Sequence, residues 1–138
     1  MKVSIGIDIG SVATKGVIMG DDKKIHQKMI IPTGWSPKES GKNIHSALLK
    51  LVEENGYKRA PLVVTGYGRV VSDYGDKVVT EITCHGKGAH YLHSEARTVI
   101  DIGGQDSKVI HLNEQGRVLD FLMNDKCAAG TGRRNPGY

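Results

Sequence analysis

Aromatic residues are scarce in this sequence, and long apolar runs are missing. Only one Phe and one Trp occur among 138 residues, so a core has to be built from Val, Ile and Leu, which favours β-sheet. No apolar stretch approaches the roughly 18 residues that a membrane-spanning helix needs. The N-terminal run MKVSIGIDIG is typical of a strand and is not followed by a small-residue cleavage site. We therefore expect neither a membrane partner nor a signal peptide.

Cysteine is equally scarce. Cys84 and Cys127 are the only two, and they lie too far apart for a C-x-x-C pair. This pattern excludes a disulfide framework and favours a cytoplasmic protein with reduced thiols. A zinc site built from both cysteines, His85 and a further histidine is a weaker alternative, because the spacings match no common zinc pattern.

Concentrated basic charge is also lacking. The formal net charge is +4, but the lysines and arginines are scattered, with only short runs such as Lys23-Lys24 and Arg133-Arg134. A nucleic-acid-binding protein concentrates its basic residues on one face. The sequence therefore predicts no nucleic-acid partner.

Apolar periodicity and turn residues predict an α/β protein with two three-stranded meanders. A helix between them begins at Ser36-Pro37-Lys38-Glu39, where Ser36 can cap and Pro37 suits the first helical position, and it ends near Gly56. The predicted strands are Val3–Ile9, Thr14–Met19, Lys24–Ile31, Leu62–Thr65, Thr98–Ile102, Lys108–Leu112 and Arg117–Met123. Further helices are predicted over Val70–Tyr74 and Ile82–His93.

An internal repeat is the most informative feature. Ile7-Asp8-Ile9-Gly10 recurs as Ile100-Asp101-Ile102-Gly103, and each copy begins one of the two meanders. A lysine follows each aspartate by seven residues, as Lys15 and as Lys108. The repeat indicates a duplicated β-hairpin unit, and we expect the first strands of both units to lie side by side.

Each copy of the repeat has the chemistry of a phosphate site. Glycines let the backbone approach a ligand closely, and the N–H groups of a turn can bind an anion. The aspartate supplies an oxygen for Mg²⁺, directly or through water, while the lysine and the nearby hydroxyls of Ser11, Thr14 and Ser107 add donors. We therefore predict a nucleotide site in a cleft shared by Asp8 and Asp101. The motif G-x-x-x-x-G-K-S/T is absent from the sequence, which excludes a P-loop.

Gly6–Lys15 and Asp101–Lys108 resemble the two phosphate motifs of the actin, hexokinase and heat-shock-protein-70 ATPase superfamily. The resemblance implies an α/β, ribonuclease-H-like (actin-like ATPase) fold with two halves, each of which opens with a β-meander. It implies a first subdomain over 1–97 and a second that starts at 98 and is truncated after its meander, at 138.

Asn124–Arg133, with Cys127 in Lys-Cys-Ala-Ala-Gly-Thr-Gly, resembles the cluster segment of activators of 2-hydroxyacyl-CoA dehydratases and of the related benzoyl-CoA reductase ATPase subunits. Thr65–Arg69 and Glu81–Gly86 resemble the same family. The resemblance implies a homodimer that shares one 4Fe-4S cluster, with Cys127 as a ligand. It further implies that ATP hydrolysis drives one electron, supplied by reduced ferredoxin or flavodoxin, into the partner dehydratase.

The resemblance also assigns roles to individual residues. Asp8 and Asp101 would hold Mg²⁺, through water, and Gln105 would orient the attacking water. The residues expected to bind the phosphates of ATP or ADP are Gly10, Ser11, Thr14, Lys15, Gly103, Gly104 and Lys108.

The family continues beyond this segment with a second cluster cysteine, adenosine-binding glycines and helices that cover the second sheet. Without these helices we expect poor burial on one side of the second meander, for Val99, Ile110, Leu112, Leu119 and Leu122. Two alternatives stay open, an inactive fragment with residual phosphate binding or dimerisation and a small-molecule kinase of the same superfamily. The Cys127 segment disfavours the kinase.

Overall fold

The computed structural model describes residues 1–71, 74–103 and 106–125. The chain divides into two compact units, Met1–Thr80 and Glu81–Tyr138. Among the described residues no helix is long and apolar enough to span a bilayer.

The first unit contains a five-stranded mixed sheet. Its strands are β1 (Lys2–Ile9), β2 (Ala13–Gly20), β3 (Ile25–Pro32), β4 (Lys58–Thr65) and β5 (Lys77–Val78). They lie in the order β3-β2-β1-β4-β5. The first three strands form the predicted antiparallel meander, and β4 and β5 add to it in parallel.

Helix α1 (Pro37–Glu54) connects β3 to β4 and begins and ends where the sequence predicts. The Ser36 hydroxyl accepts a hydrogen bond from the N–H of Glu39 at 3.2 Å, which caps the first turn. Gly56 follows the helix with a φ of +66°, a left-handed conformation that glycine adopts without a Cβ penalty. Local capping chemistry therefore sets both ends of α1.

The core of the first unit lies between α1 and one face of the sheet. Alternate residues of β1 and β2 point to this face. Gly16 on β2 lets the helix approach closely, because a Cβ there would lie 2.5 Å from Leu48 Cδ1. Asp8 and Lys15 pair across the β1–β2 hairpin on the opposite face. The most deeply buried side chains of the core are Val3, Ile5, Ile7, Ile9, Ile18, Ile44, Leu48, Leu62 and Val64.

The described residues of the second unit form a three-stranded antiparallel sheet packed on one helix. The strands β6 (Thr98–Ile102), β7 (Asp106–Leu112) and β8 (Val118–Asp125) form the predicted second meander. Helix α2 (Glu81–Leu92) packs on this sheet, where its buried Gly86 faces Leu112 and Val118. The boundary between the compact units falls before α2. The division into two subdomains at 97/98 stays a prediction.

Among the described residues, α2 covers one face of the second sheet, and the side chains on the other face are exposed. Ile110 and Leu112 are buried beneath α2, at 0% and 3% exposure. The expectation of poor burial was wrong for these two residues, because α2 supplies the cover, and it is confirmed for Leu119 and Leu122. The neighbouring Ile100 and Ile102 are also largely exposed.

Three local features differ from the predictions. A 3-10 helix occupies Tyr67–Val71, earlier than the predicted helix. Strand β4 begins before Pro61 instead of after it, with an irregular register against β1. Strand β5 was not predicted, because two residues are too short to show a period.

We predict that Ile110→Ala and Ile100→Ala lower the free energy of unfolding by very different amounts. The two residues lie on neighbouring strands and on opposite faces of the second sheet. Ile110→Ala should leave a cavity beneath α2 and lower the free energy of unfolding of this unit by about 2–5 kcal/mol. Ile100→Ala should cost less than about 1 kcal/mol, because its side chain is already 68% exposed. Hydrogen exchange of the β7 amides measures both. Equal costs would contradict the packing of α2 on this sheet.

Candidate functional site

The turn between β1 and β2 offers unpaired backbone donors to the solvent. The N–H of Gly10 donates to Ala13 O at 3.0 Å and closes the turn. A Cβ on Gly10 would lie 2.6 Å from that same oxygen, so the turn requires glycine there. Ser11 and Val12 between them are exposed, and among the described residues no acceptor is found for either N–H group. Two free amides and the Ser11 hydroxyl suit an anion.

Asp8 and Lys15 lie beside this turn, as predicted. Lys15 Nζ is 3.5 Å from Asp8 Oδ2, and the lysine side chain is half exposed. Gly66, in the Thr65–Arg69 segment, packs directly against Asp8 with a φ of +95°, and a Cβ there would collide with the carboxylate. The close approach of Gly66 therefore fixes where the Asp8 carboxylate can lie.

Thr14 occupies a different position from the other predicted phosphate ligands. Its side chain is fully buried on the α1 face of the sheet. Its hydroxyl lies 2.9 Å from that of Thr33 and 3.1 Å from that of Ser40. Thr14 therefore supports the turn from beneath instead of presenting its hydroxyl to solvent.

The second repeat has the same aspartate–lysine pair in a closed environment. Lys108 is 5% exposed, and its Nζ lies 3.5 Å from Asp101 Oδ2, 2.7 Å from Asp106 Oδ1 and 3.8 Å from Glu81 Oε2. Burial opposes the charged form of Lys108, but the hydrogen bond to Asp106 and the three carboxylate charges outweigh it and raise its pKa. The charged form therefore stabilises the fold at neutral pH, and this stabilisation is lost as the pH rises through the raised pKa.

Helix α2 supplies two residues to this cluster that the site prediction missed. Glu81 contacts Lys108, and His85 Nδ1 lies 3.4 Å from Asp101 Oδ2. Their spacing of four residues places both side chains on one face of a helix, which is the signal that could have found them. That signal says nothing about which sheet the helix packs on.

The structure leaves other predicted site residues untested. Gly103 donates its N–H to Asp106 O at 2.8 Å and begins the second turn. Gly104, Gln105 and Cys127 lie outside the described residues. The cleft shared by Asp8 and Asp101 stays a prediction, because these residues belong to separate compact units.

Metal-binding geometry is not preformed in the part of the chain that the structure describes. No group of three or more His, Cys, Asp or Glu side chains there could hold a metal ion. Two carboxylates of the second repeat, Asp101 and Asp106, and the carboxylate of Glu81 on α2 surround the Lys108 ammonium instead. Cys84 is a partly buried thiol on α2.

Two solved structures share this fold and confirm the predicted actin-like ATPase class. The activator of the 2-hydroxyisocaproyl-CoA dehydratase from Clostridium difficile with bound ADPNP matches 94% of this chain and 48% of its own length, at 44% identity and a TM-score of 0.75. The Acidaminococcus fermentans (R)-2-hydroxyglutaryl-CoA dehydratase component A matches 96% of this chain and 51% of its own, at 39% identity and a TM-score of 0.76.

Residues 5–135 match the BadF/BadG/BcrA/BcrD ATPase family, and the chain belongs to this family. It is 50% identical to the uncharacterized protein YjiL of Escherichia coli K12, over 96% of this chain and 50% of that protein. The chain thus spans about half the length of the curated relatives it matches.

The two repeat lysines provide a matched test of the electrostatics. Lys108→Met should lower the free energy of unfolding of the second unit by about 3 kcal/mol, because it leaves three neighbouring carboxylates without their cation. Lys15→Met breaks the ion pair with Asp8, which has the same 3.5 Å distance as the pair of Lys108 and Asp101 but is exposed. This change should lower the free energy of unfolding by less than about 1 kcal/mol. Urea unfolding followed by circular dichroism measures both variants. Similar losses would show that burial of Lys108 has no energetic effect.

Proposed function

We propose that this chain is the nucleotide-binding part of an ATP-dependent activator of a 2-hydroxyacyl-CoA dehydratase or a benzoyl-CoA reductase-like enzyme. The β1–β2 turn carries this proposal, since it places the open N–H groups of Ser11 and Val12 beside Lys15 and Asp8. The likeness to a dehydratase activator with bound ADPNP, at 44% identity, supports a nucleoside polyphosphate as the ligand.

We assign different roles to the aspartate–lysine pairs of the two repeats. Lys15 is half exposed and can balance the charge of a phosphate, while Asp8, about one-third exposed, can hold Mg²⁺ through water. Lys108 already has three carboxylate partners. We assign Lys108 the role of holding Asp101 in place for the metal, with Lys15 as the cation that meets the phosphate. Gln105 remains our candidate for orienting the attacking water.

We further propose that Cys127 is an iron–sulfur ligand. A thiolate is the ligand that a 4Fe-4S cluster takes, and two copies of this chain would bring two such thiolates to a shared cluster. The sequence around Cys127 and the family assignment support this role. The whole protein would then be a homodimer that accepts an electron from reduced ferredoxin or flavodoxin and passes it, at the expense of ATP, to the dehydratase.

A second candidate is a non-catalytic role with weak phosphate binding or dimerisation. This alternative, which the sequence left open, stays a prediction. The family assignment disfavours the small-molecule kinase.

Isothermal titration with Mg-ADP tests the proposed nucleotide site. We expect measurable but weak binding, and Asp8→Ala or Asp101→Ala should reduce the affinity at least about tenfold, as the loss of a charge-assisted contact implies. Asp21→Ala, an exposed carboxylate on the β2–β3 turn, is the control and should bind like the unmodified protein. Tight binding that survives both Asp8→Ala and Asp101→Ala would refute the site.

Anaerobic reconstitution with iron and sulfide tests the cluster ligand. We expect sub-stoichiometric iron that is oxygen-sensitive, because two thiolates leave half of the usual four ligand positions of a cluster open. Cys127→Ala should remove this iron and Cys84→Ala should not. A stable cluster that is unaffected by Cys127→Ala would disprove the ligand assignment.

A further inference from the structure

Thr33, the residue directly after β3, holds the β1–β2 turn at two points. Its N–H donates to Val12 O at 3.0 Å, and its hydroxyl donates to Gly10 O at 2.7 Å. Thr33 is itself buried, at 4% exposure. One buried residue thus binds the carbonyl oxygens on both sides of Ser11.

The two hydrogen bonds act on the peptide groups on either side of the Val12 N–H. A trans peptide group is planar, so its N–H points away from its own carbonyl oxygen. When Thr33 binds Gly10 O, the N–H of Ser11 in the same peptide group is turned to the opposite side, away from Thr33. The peptide group that carries the Val12 N–H lies between the two held groups, which fix the positions of the Cα atoms at its two ends.

Thr33 lies at one end of a row of three buried hydroxyls. Because the Thr33 hydroxyl proton goes to Gly10 O, the hydrogen bond between Thr14 and Thr33 must have Thr14 as its donor. Ser40, 5% exposed, then donates to Thr14 or to Pro37 O, each at 3.1 Å. This row of hydroxyls links the first turn of α1 to the turn that carries the open amides.

We propose that Thr33 is a positioning residue, which orients the N–H group of Ser11 and holds the peptide groups on both sides of the Val12 N–H, so that the turn can receive a phosphate group of a nucleoside di- or triphosphate. This inference rests on the proposed function for its ligand, and on the hydrogen bonds of Thr33 for its geometry. The inference applies to Thr33 and not to its buried neighbours Thr14 and Ser40. Among the described hydrogen bonds, the hydroxyls of these two residues do not contact the carbonyl oxygens of the turn.

Three variants isolate the hydroxyl of Thr33. Thr33→Val keeps the shape of the side chain and removes the donor to Gly10 O, while Thr33→Ser restores a hydroxyl. Ser40→Ala is the matched control, because it removes a buried hydroxyl from the same network without touching the turn. If Thr33 had only a structural role, Thr33→Val and Ser40→Ala would have similar effects on amide exchange and on nucleotide affinity.

The first measurement is amide hydrogen exchange at Gly10, whose N–H closes the turn, in the absence of ligand. Thr33→Val should speed this exchange about tenfold, the effect of one lost hydrogen bond. Thr33→Ser and Ser40→Ala should exchange within about twofold of the unmodified protein. Equal acceleration in Thr33→Val and Ser40→Ala, or none in either, would overturn the positioning role.

The second measurement is Mg-ADP affinity, followed by the fluorescence of Trp35, the single tryptophan, which is fully exposed two residues after Thr33. Thr33→Val should weaken binding about tenfold and Thr33→Ser should restore it, with Ser40→Ala unchanged. Unaltered affinity in Thr33→Val would overturn the inference. If the unmodified protein bound no ADP, by fluorescence or by calorimetry, the proposed function would fail, and the exchange rates would still decide whether Thr33 holds the turn.

Discussion

The carboxylate of Asp8 lies across a β-hairpin from the ammonium of Lys15, and this pairing depends on the register of the two strands. Side chains alternate between the faces of a sheet, so the register that buries Ile7 and Ile9 beneath α1 also turns Asp8 to the other face. A slip by one residue would expose the isoleucines and bury the aspartate. The hydrophobic core therefore also determines where the candidate site lies.

The two repeats use the same hairpin and differ in which face is covered. In the first repeat α1 packs on the isoleucine face, which leaves the pair of Asp8 and Lys15 accessible. In the second repeat α2 packs on the aspartate face, which buries Lys108 and leaves Ile100 exposed. The same sequence motif thus gives an open, weakly coupled ion pair in one unit and a closed cluster of charges in the other.

Much of this arrangement could be predicted from the sequence, because it depends on local patterns. Alternating apolar residues gave both meanders, and the cap at Ser36 gave the start of α1. The repeat with its spacing of seven residues indicated a duplicated hairpin, but not the ion pairs of Asp8 with Lys15 and of Asp101 with Lys108 that this hairpin forms.

What the sequence did not predict depends on long-range packing. The register of the hairpin decides whether the Thr14 side chain points into the core or to solvent. The position of a hydroxyl residue near a turn does not reveal that register. The sequence of α2 does not show which sheet the helix covers. The contribution of Glu81 and His85 to the cluster around Lys108 and Asp101 was therefore missed. Thr33 belongs to no motif, and its role follows only from its hydrogen bonds to Gly10 and Val12.

The central claim is that the first repeat binds phosphate through the backbone of its turn. The most direct measurement is a two-dimensional amide NMR titration of the protein with Mg-ADP. We predict saturable shifts that are largest at the N–H groups of Ser11 and Val12, with little change at exposed amides of the β2–β3 turn such as Asp21. Saturable shifts confined to other parts of the chain, with Ser11 and Val12 unmoved, would contradict the claim.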